Sequence, residues 1–165
     1  MDVWLANGYG SKRMPFHDLV ACIKNNACNS LEVGDESTAP TPEDIAGVES
    51  ILGQELPPSY LFFVRHYGFA SIFGDEIFSI YPEFDRNIPS GDIAERTLLY
   101  RRQNAIKPTE IILCQTDFAE IFVLDASRVD AQGEYPVLRK IGDEAVLYAP
   151  SFADFIVKYS HDVMA

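Results

Sequence analysis

At 165 residues the chain fits one domain large enough to bury its own core, and a 47% hydrophobic content with 11 Phe and 8 Tyr excludes the intrinsically disordered class. The 25 acidic residues outnumber 13 basic ones and set the net charge at −12, which excludes general binding to a phosphate backbone. The same excess either steers basic partners toward the protein or does no more than keep it soluble. Cys22, Cys28 and Cys114 are odd in number and show no C-x-x-C spacing, so a disulfide framework and a zinc knuckle are both excluded. Met1–Gly10 lacks the basic and apolar blocks of a secretory signal, and no run approaches a membrane span. The expectation is a reducing cytoplasm and no membrane contact.

In chain order, residues 1–40 read as an N-terminal leader, packed with the domain 41–165 as a single globular unit. Within the leader, Phe16, Leu19, Val20 and Ile23 recur at helical spacing, and Gly34–Pro40 reads as an exposed connection. Thr41 caps a helix with Pro42 in its first turn and Asp44 completing a short capping box. Ile45, Val48 and Leu52 mark its buried face, and Gly53 ends it. Pro57 and Pro58 open a second helix, with Tyr60, Phe63, Val64 and Tyr67 at helical spacing before Gly68. Glu76–Tyr81 alternates like a strand, with Ile77 and Ser79 on one side and Phe78 and Ile80 on the other; Pro82–Pro89 is irregular.

Ile93–Asn104 is expected to be helical, with Arg101 and Arg102 on its solvent side beside Glu95 or Asp92. Strands are expected at Ile111–Cys114 and Glu120–Leu124, separated by Gln115-Thr116-Asp117, and again at Val137–Ile141 and Ala145–Tyr148. Ser151 and Asp154 cap a final helix that buries Phe152, Phe155, Ile156 and Tyr159. Helices at both ends of a set of short strands give an α+β fold, a mostly antiparallel twisted sheet with helices packed around it.

The ordered motifs Thr41-Pro42-Glu43-Asp44-Ile45, Glu49 with Leu52-Gly53, Leu56-Pro57-Pro58-Ser59-Tyr60 and Tyr67-Gly68 resemble the start of a SUKH domain. Ile111–Cys114, Thr116-Asp117, Ile121–Asp125 and Ser151-Phe152-Ala153-Asp154-Phe155 are similar to its later pattern. Relatives often carry glycines in the polar break, where this chain has Phe118-Ala119-Glu120. The resemblance spans Thr41 to Tyr159 and implies a binding module rather than a catalyst. Bacterial members are mostly immunity proteins that neutralise a cognate toxin, often a nuclease; a eukaryotic branch includes an adaptor-like regulator of cell-wall synthesis.

The residues themselves supply little catalytic chemistry. His17, His66 and His161 belong to no triad or metal signature, and His66 fits a helix C-terminus where a cation suits the dipole. Asp117, Glu120 and Asp125 form the one suggestive carboxylate group. Along a strand Glu120 and Asp125 point to opposite faces, so solvated strand ends are the simpler reading. Gly8-Tyr9-Gly10-Ser11-Lys12 lacks Walker spacing and reads as a loop. No cofactor and no metal are expected.

Between Thr41 and Ser90, 8 acidic residues meet only Arg65 and Arg86, so negative charge is concentrated there. The candidate contact residues for a basic toxin domain are Phe69, Phe73, Asp75, Glu76, Tyr81, Glu83 and Asp85: carboxylates to mimic a polyanion and aromatics to anchor it. The aromatics serve equally well as core. The alternative partner is a protein unrelated to toxins, held by an adaptor or regulator on the same scaffold.

Overall fold

Capping chemistry sets where the helices start, and the apolar pattern sets which face each one buries. A computed structural model describes residues 16–24, 31–81 and 91–162. Helix α1 (His17–Lys24) buries Leu19 and Cys22. Strand β1 (Leu31–Val33) follows, and Asp35 then caps a 3₁₀ turn at Glu36–Thr38. Helix α2 (Pro42–Leu52) has the reciprocal bonds its sequence promises. Asp44 N donates to Thr41 Oγ1 at 3.1 Å and Thr41 N donates to Asp44 Oδ2 at 2.9 Å, so two otherwise orphaned donors are satisfied.

Helix α3 (Pro58–Tyr67) begins differently, because its N-cap Pro57 has no side chain that can accept a hydrogen bond. Glu134 from a distant loop takes over that task. Its two carboxylate oxygens accept from Ser59 N at 2.8 Å and Ser59 Oγ at 2.7 Å. Asp130 Oδ1 orders the loop by accepting from Gln132 N at 2.8 Å and Glu134 N at 2.9 Å. At the other end of α3, Gly68 has φ 74°, and a Cβ there would lie 2.2 Å from Thr38 Oγ1. Both the backbone angle and the space demand glycine.

Strands β2 (Ala70–Ile72) and β3 (Asp75–Ile77) form a hairpin, and β1 pairs antiparallel with β2, giving a sheet of order β1-β2-β3. Helix α4 (Ile93–Arg102) starts at Asp92, which accepts from Glu95 N at 3.1 Å. Strands β4 (Glu110–Gln115), β5 (Ile121–Asp125), β6 (Val137–Ile141) and β7 (Glu144–Ala149) then make a second antiparallel sheet in sequence order. Helix α5 (Phe152–Asp162) starts at Ser151, which accepts from Asp154 N at 3.2 Å. The α+β class and the antiparallel pairing are as the sequence implies, though the strands divide into two sheets rather than one.

The core lies where α3 and α5 meet over the larger sheet. Tyr60 and Phe152 pack edge to face at 5.1 Å between centroids, and Phe122 of β5 meets Phe155 at 5.1 Å. Tyr60 is fully buried, and its hydroxyl donates to Phe78 O at 2.9 Å.

Gly34–Pro40 is the expected connection, exposed over Asp35–Thr38, where Asp35 and Thr38 build a 3₁₀ turn. Three local expectations are corrected. The alternation over Glu76–Tyr81 does not persist: the strand ends at Ile77, and Phe78, Ser79 and Ile80 are all buried as the chain turns inward. Arg101 does not face solvent. It is half-buried, donating to Leu52 O at 3.1 Å, Gln54 Oε1 at 2.7 Å and Glu110 O at 3.1 Å, which joins the end of α2 to β4. Asp125 is no solvated strand end; it is 5% exposed and accepts from Ser127 N at 3.0 Å. The three-residue β1 and β2 went unanticipated because such short strands offer too little periodicity to read.

Candidate functional site

Two turns bring a bulky aromatic side chain to the surface where turn chemistry favours a small or polar residue. In the β2–β3 hairpin, Ile72 pairs with Asp75, leaving the two-residue loop Phe73-Gly74 with φ 50° and 83°. Positive φ at both loop positions is the type I′ turn that matches strand twist, and its first position normally holds Asn, Asp or Gly. Phe73 occupies that position and is 55% exposed.

The β4–β5 turn makes the same choice by other means. Ala119 N donates to Thr116 O at 3.2 Å and Thr116 N donates to Glu120 O at 2.9 Å, closing a three-residue loop in which Ala119 has φ 62°. That is the left-handed position where glycine is usual. The turn therefore forms although Phe118-Ala119-Glu120 replaces the glycines of relatives. Phe118, at its tip, is 85% exposed.

Phe73 and Phe118 line one groove of about 430 Å³. Its floor is Phe122, which packs against Tyr148 at 4.9 Å and Tyr159 at 5.1 Å between ring centroids. The two tyrosines then reach the rim, where Tyr159 donates to Asp75 at 2.6 Å and Tyr148 donates to Asp162 at 2.6 Å. Burial and the adjacent carboxylate raise both phenol pKa values far above the ordinary range, so both stay protonated donors and hold the two aspartates in place.

The groove is strongly anionic. Asp75, Asp117, Glu120 and Asp162 line it, and Arg139 is the lone cation among its described lining residues. Arg139 Nε donates to Glu120 at 2.7 Å, and this bond raises the guanidinium pKa further. Asp117 is exposed and has no hydrogen bond or ion pair among the described residues. Val146 lies cross-strand from Arg139 and is 55% exposed, so the same sheet face continues as an apolar apron beyond the groove. Aromatic walls, fixed carboxylates and an open acceptor are the chemistry of cation recognition.

The seven contact residues expected from sequence do not share one surface. Phe73 and Asp75 line the groove, while Glu76, next along β3, points to the opposite face and accepts from Tyr81 OH at 3.0 Å. Burial and Glu76 push the Tyr81 phenol up to about 12. Phe69 is 37% exposed beside Gly34, away from the groove lining. Glu83 and Asp85 lie outside the described residues. Asp117 and Glu120 come together in the groove, whereas Asp125 ends the far side of β5.

Sequence reasoning missed Phe118, Arg139, Tyr148, Tyr159 and Asp162 as groove residues. Phe118 alone left a legible signal: a large apolar residue in a polar break. Of the basic residues close together in sequence, Arg96, Arg101, Arg102 and Lys107, Arg101 is tied into the interior and Arg96 lies over the Phe78 ring at 5.6 Å, so the four do not make one patch. His66 sits in the last turn of α3 as expected, 3.7 Å from Glu36. Among the described residues no group of three His, Cys, Asp or Glu side chains is placed to hold a metal ion, and no helix is long and apolar enough to cross a membrane.

Fold and groove together define an α+β domain with two antiparallel sheets and an open acidic recess between a hairpin tip, a strand turn and the last helix. The chain belongs to the SMI1/KNR4 family (SUKH-1), whose model matches residues 39–158. No curated protein matches the chain.

Proposed function

We propose that this chain is a non-enzymatic, cytoplasmic immunity protein that binds and neutralises a basic toxin domain, a nuclease in the simplest case, through the groove between Phe73 and Phe118. The observation that carries this reading is the pairing of two solvent-facing aromatics with four carboxylates on a single recess. Exposed Phe at a turn tip stabilises nothing inside the fold, and a desolvated aromatic anchor is the commonest source of binding energy at a protein interface. The surrounding negative charge accelerates encounter with a basic surface. The net charge of −12 and the family membership agree with this role.

The test is co-expression with the toxin-domain reading frame adjacent to the gene in its genome. The expected result is that the wild-type chain restores growth and that Phe118→Ala and Asp117→Lys do not, while both variants keep the wild-type circular dichroism spectrum. Loss of a central aromatic anchor costs about 2 kcal/mol or more, roughly a 30-fold loss of affinity. Growth restored equally by both variants sinks the groove as the contact face. No protection by the wild type, together with a stable complex with a host protein, sinks the immunity reading in favour of an adaptor.

A further inference from the structure

We infer that the groove recognises an arginine side chain, seated against Asp117 and stacked between Phe118 and Phe73, and that Arg139 lowers its affinity as an opposing like charge. This rests on the proposed binding role and adds to it the chemistry of the partner's central contact.

Three observations lead here. Asp75 and Asp162 each accept a phenol and Glu120 accepts Arg139, each through one oxygen, so Asp117 is the lining carboxylate with neither oxygen engaged by a described residue. Its chain neighbour Phe118 is 85% exposed, so a cation paired to Asp117 has an aromatic face beside it. The planar guanidinium both stacks on a ring and bridges a carboxylate with two parallel N–H donors, while the ammonium of lysine does neither as well. Finally, Arg139 shows that the same anionic field already holds a guanidinium, at 2.7 Å from Glu120. Both partners in that pair are partly open to solvent, with side-chain exposures of 38% and 20%. Arg139 thus places a like charge in the same recess and opposes an incoming cation without occupying the Asp117 seat.

The experiment titrates the full-length, isotope-labelled chain with two N-acetylated peptide amides of equal charge, tri-arginine and tri-lysine, and follows backbone amide shifts. The expected result is that tri-arginine binds about threefold tighter or more, with shifts centred on Phe73–Asp75 and Asp117–Glu120. Asp117→Asn should erase the preference, and Arg139→Gln should strengthen tri-arginine binding about threefold by removing the like charge. Equal affinity for the two peptides overturns the arginine seat. An Arg139→Gln variant that binds no better, or worse, overturns the opposing role of Arg139. If the peptides show no preference but Phe118→Ala still abolishes protection in the co-expression assay, the arginine inference alone fails. If shifts avoid the groove and Phe118→Ala protects fully, the binding reading fails with it.

Discussion

Removing the Glu134 carboxylate tests the fold at its most improbable joint. The first turn of α3 depends on Glu134, supplied from 75 residues away, because Pro57 brings no cap of its own. Ser59 is fully buried and Glu134 is 7% exposed, so water has little access to the groups left behind. Glu134→Ala removes two charge-assisted bonds, at 2.8 and 2.7 Å, and orphans a buried N–H and a hydroxyl. Ser59 Oγ also accepts from Ala153 N at 3.3 Å, so the loss spreads to the start of α5. Hydrogen bonds to charged groups contribute about 1.5–3 kcal/mol each, and the desolvation that keeps Glu134 costs part of this back. The net expectation is a loss of about 2–4 kcal/mol, a Tm drop of roughly 6–12 °C for a domain of this size.

The same residue predicts a pH dependence of definite sign. Burial raises the Glu134 pKa above its ordinary value, partly offset by the Ser59 bonds, with Asp130 and Asp154 adding to the rise. A carboxyl whose folded pKa exceeds its unfolded one binds a proton more readily in the native state. Its contribution to stability is therefore fully present below the unfolded pKa and is lost as pH rises through the folded value. Glu134→Gln cannot titrate, so the stability of wild type relative to this variant should fall across that window. Urea unfolding at closely spaced pH values, read by circular dichroism, measures both effects. An alanine variant within about 0.5 kcal/mol of wild type would refute the idea that this carboxylate caps α3.

Gly68→Ala should destabilise by about 2–4 kcal/mol, because φ is 74° and the new Cβ would meet Thr38 Oγ1 at 2.2 Å and Thr38 O at 2.7 Å; chemical denaturation reads it. Ala119→Gly should instead stabilise by roughly 0.5–1 kcal/mol, since alanine is held at φ 62° where only glycine is unstrained. Thermal unfolding should show a small upward shift. Lys140→Ala should cost about 2–4 kcal/mol by leaving Glu110, 2% exposed and bonded to Lys140 at 2.7 Å, with the Lys107 N–H at 2.8 Å as its remaining donor, and the Glu110→Gln/Lys140→Ala double variant should recover part of that loss.

Helix ends and core faces were legible in the chain because they follow from local chemistry. Thr41 with Asp44 and Ser151 with Asp154 cap their helices through contacts only three residues apart, and a period of 3.6 marks the buried side of α2, α3 and α5, whereas β4 and β5 are apolar runs buried on both faces. Those same features carried the family resemblance that the match over residues 39–158 establishes. The groove was not legible, because its carboxylates come from β3, the β4–β5 turn and the end of α5. The acid-rich stretch from Thr41 to Ser90 contributes only Asp75 to its described lining. Charge density along a chain does not fix charge density in space once strands from distant segments pair. Adjacent residues such as Asp75 and Glu76 separate onto opposite faces, whereas Asp75 and Tyr159, 84 positions apart, come within 2.6 Å. Local pattern thus determined the helices and their buried sides; the acidic groove was assembled by tertiary packing alone.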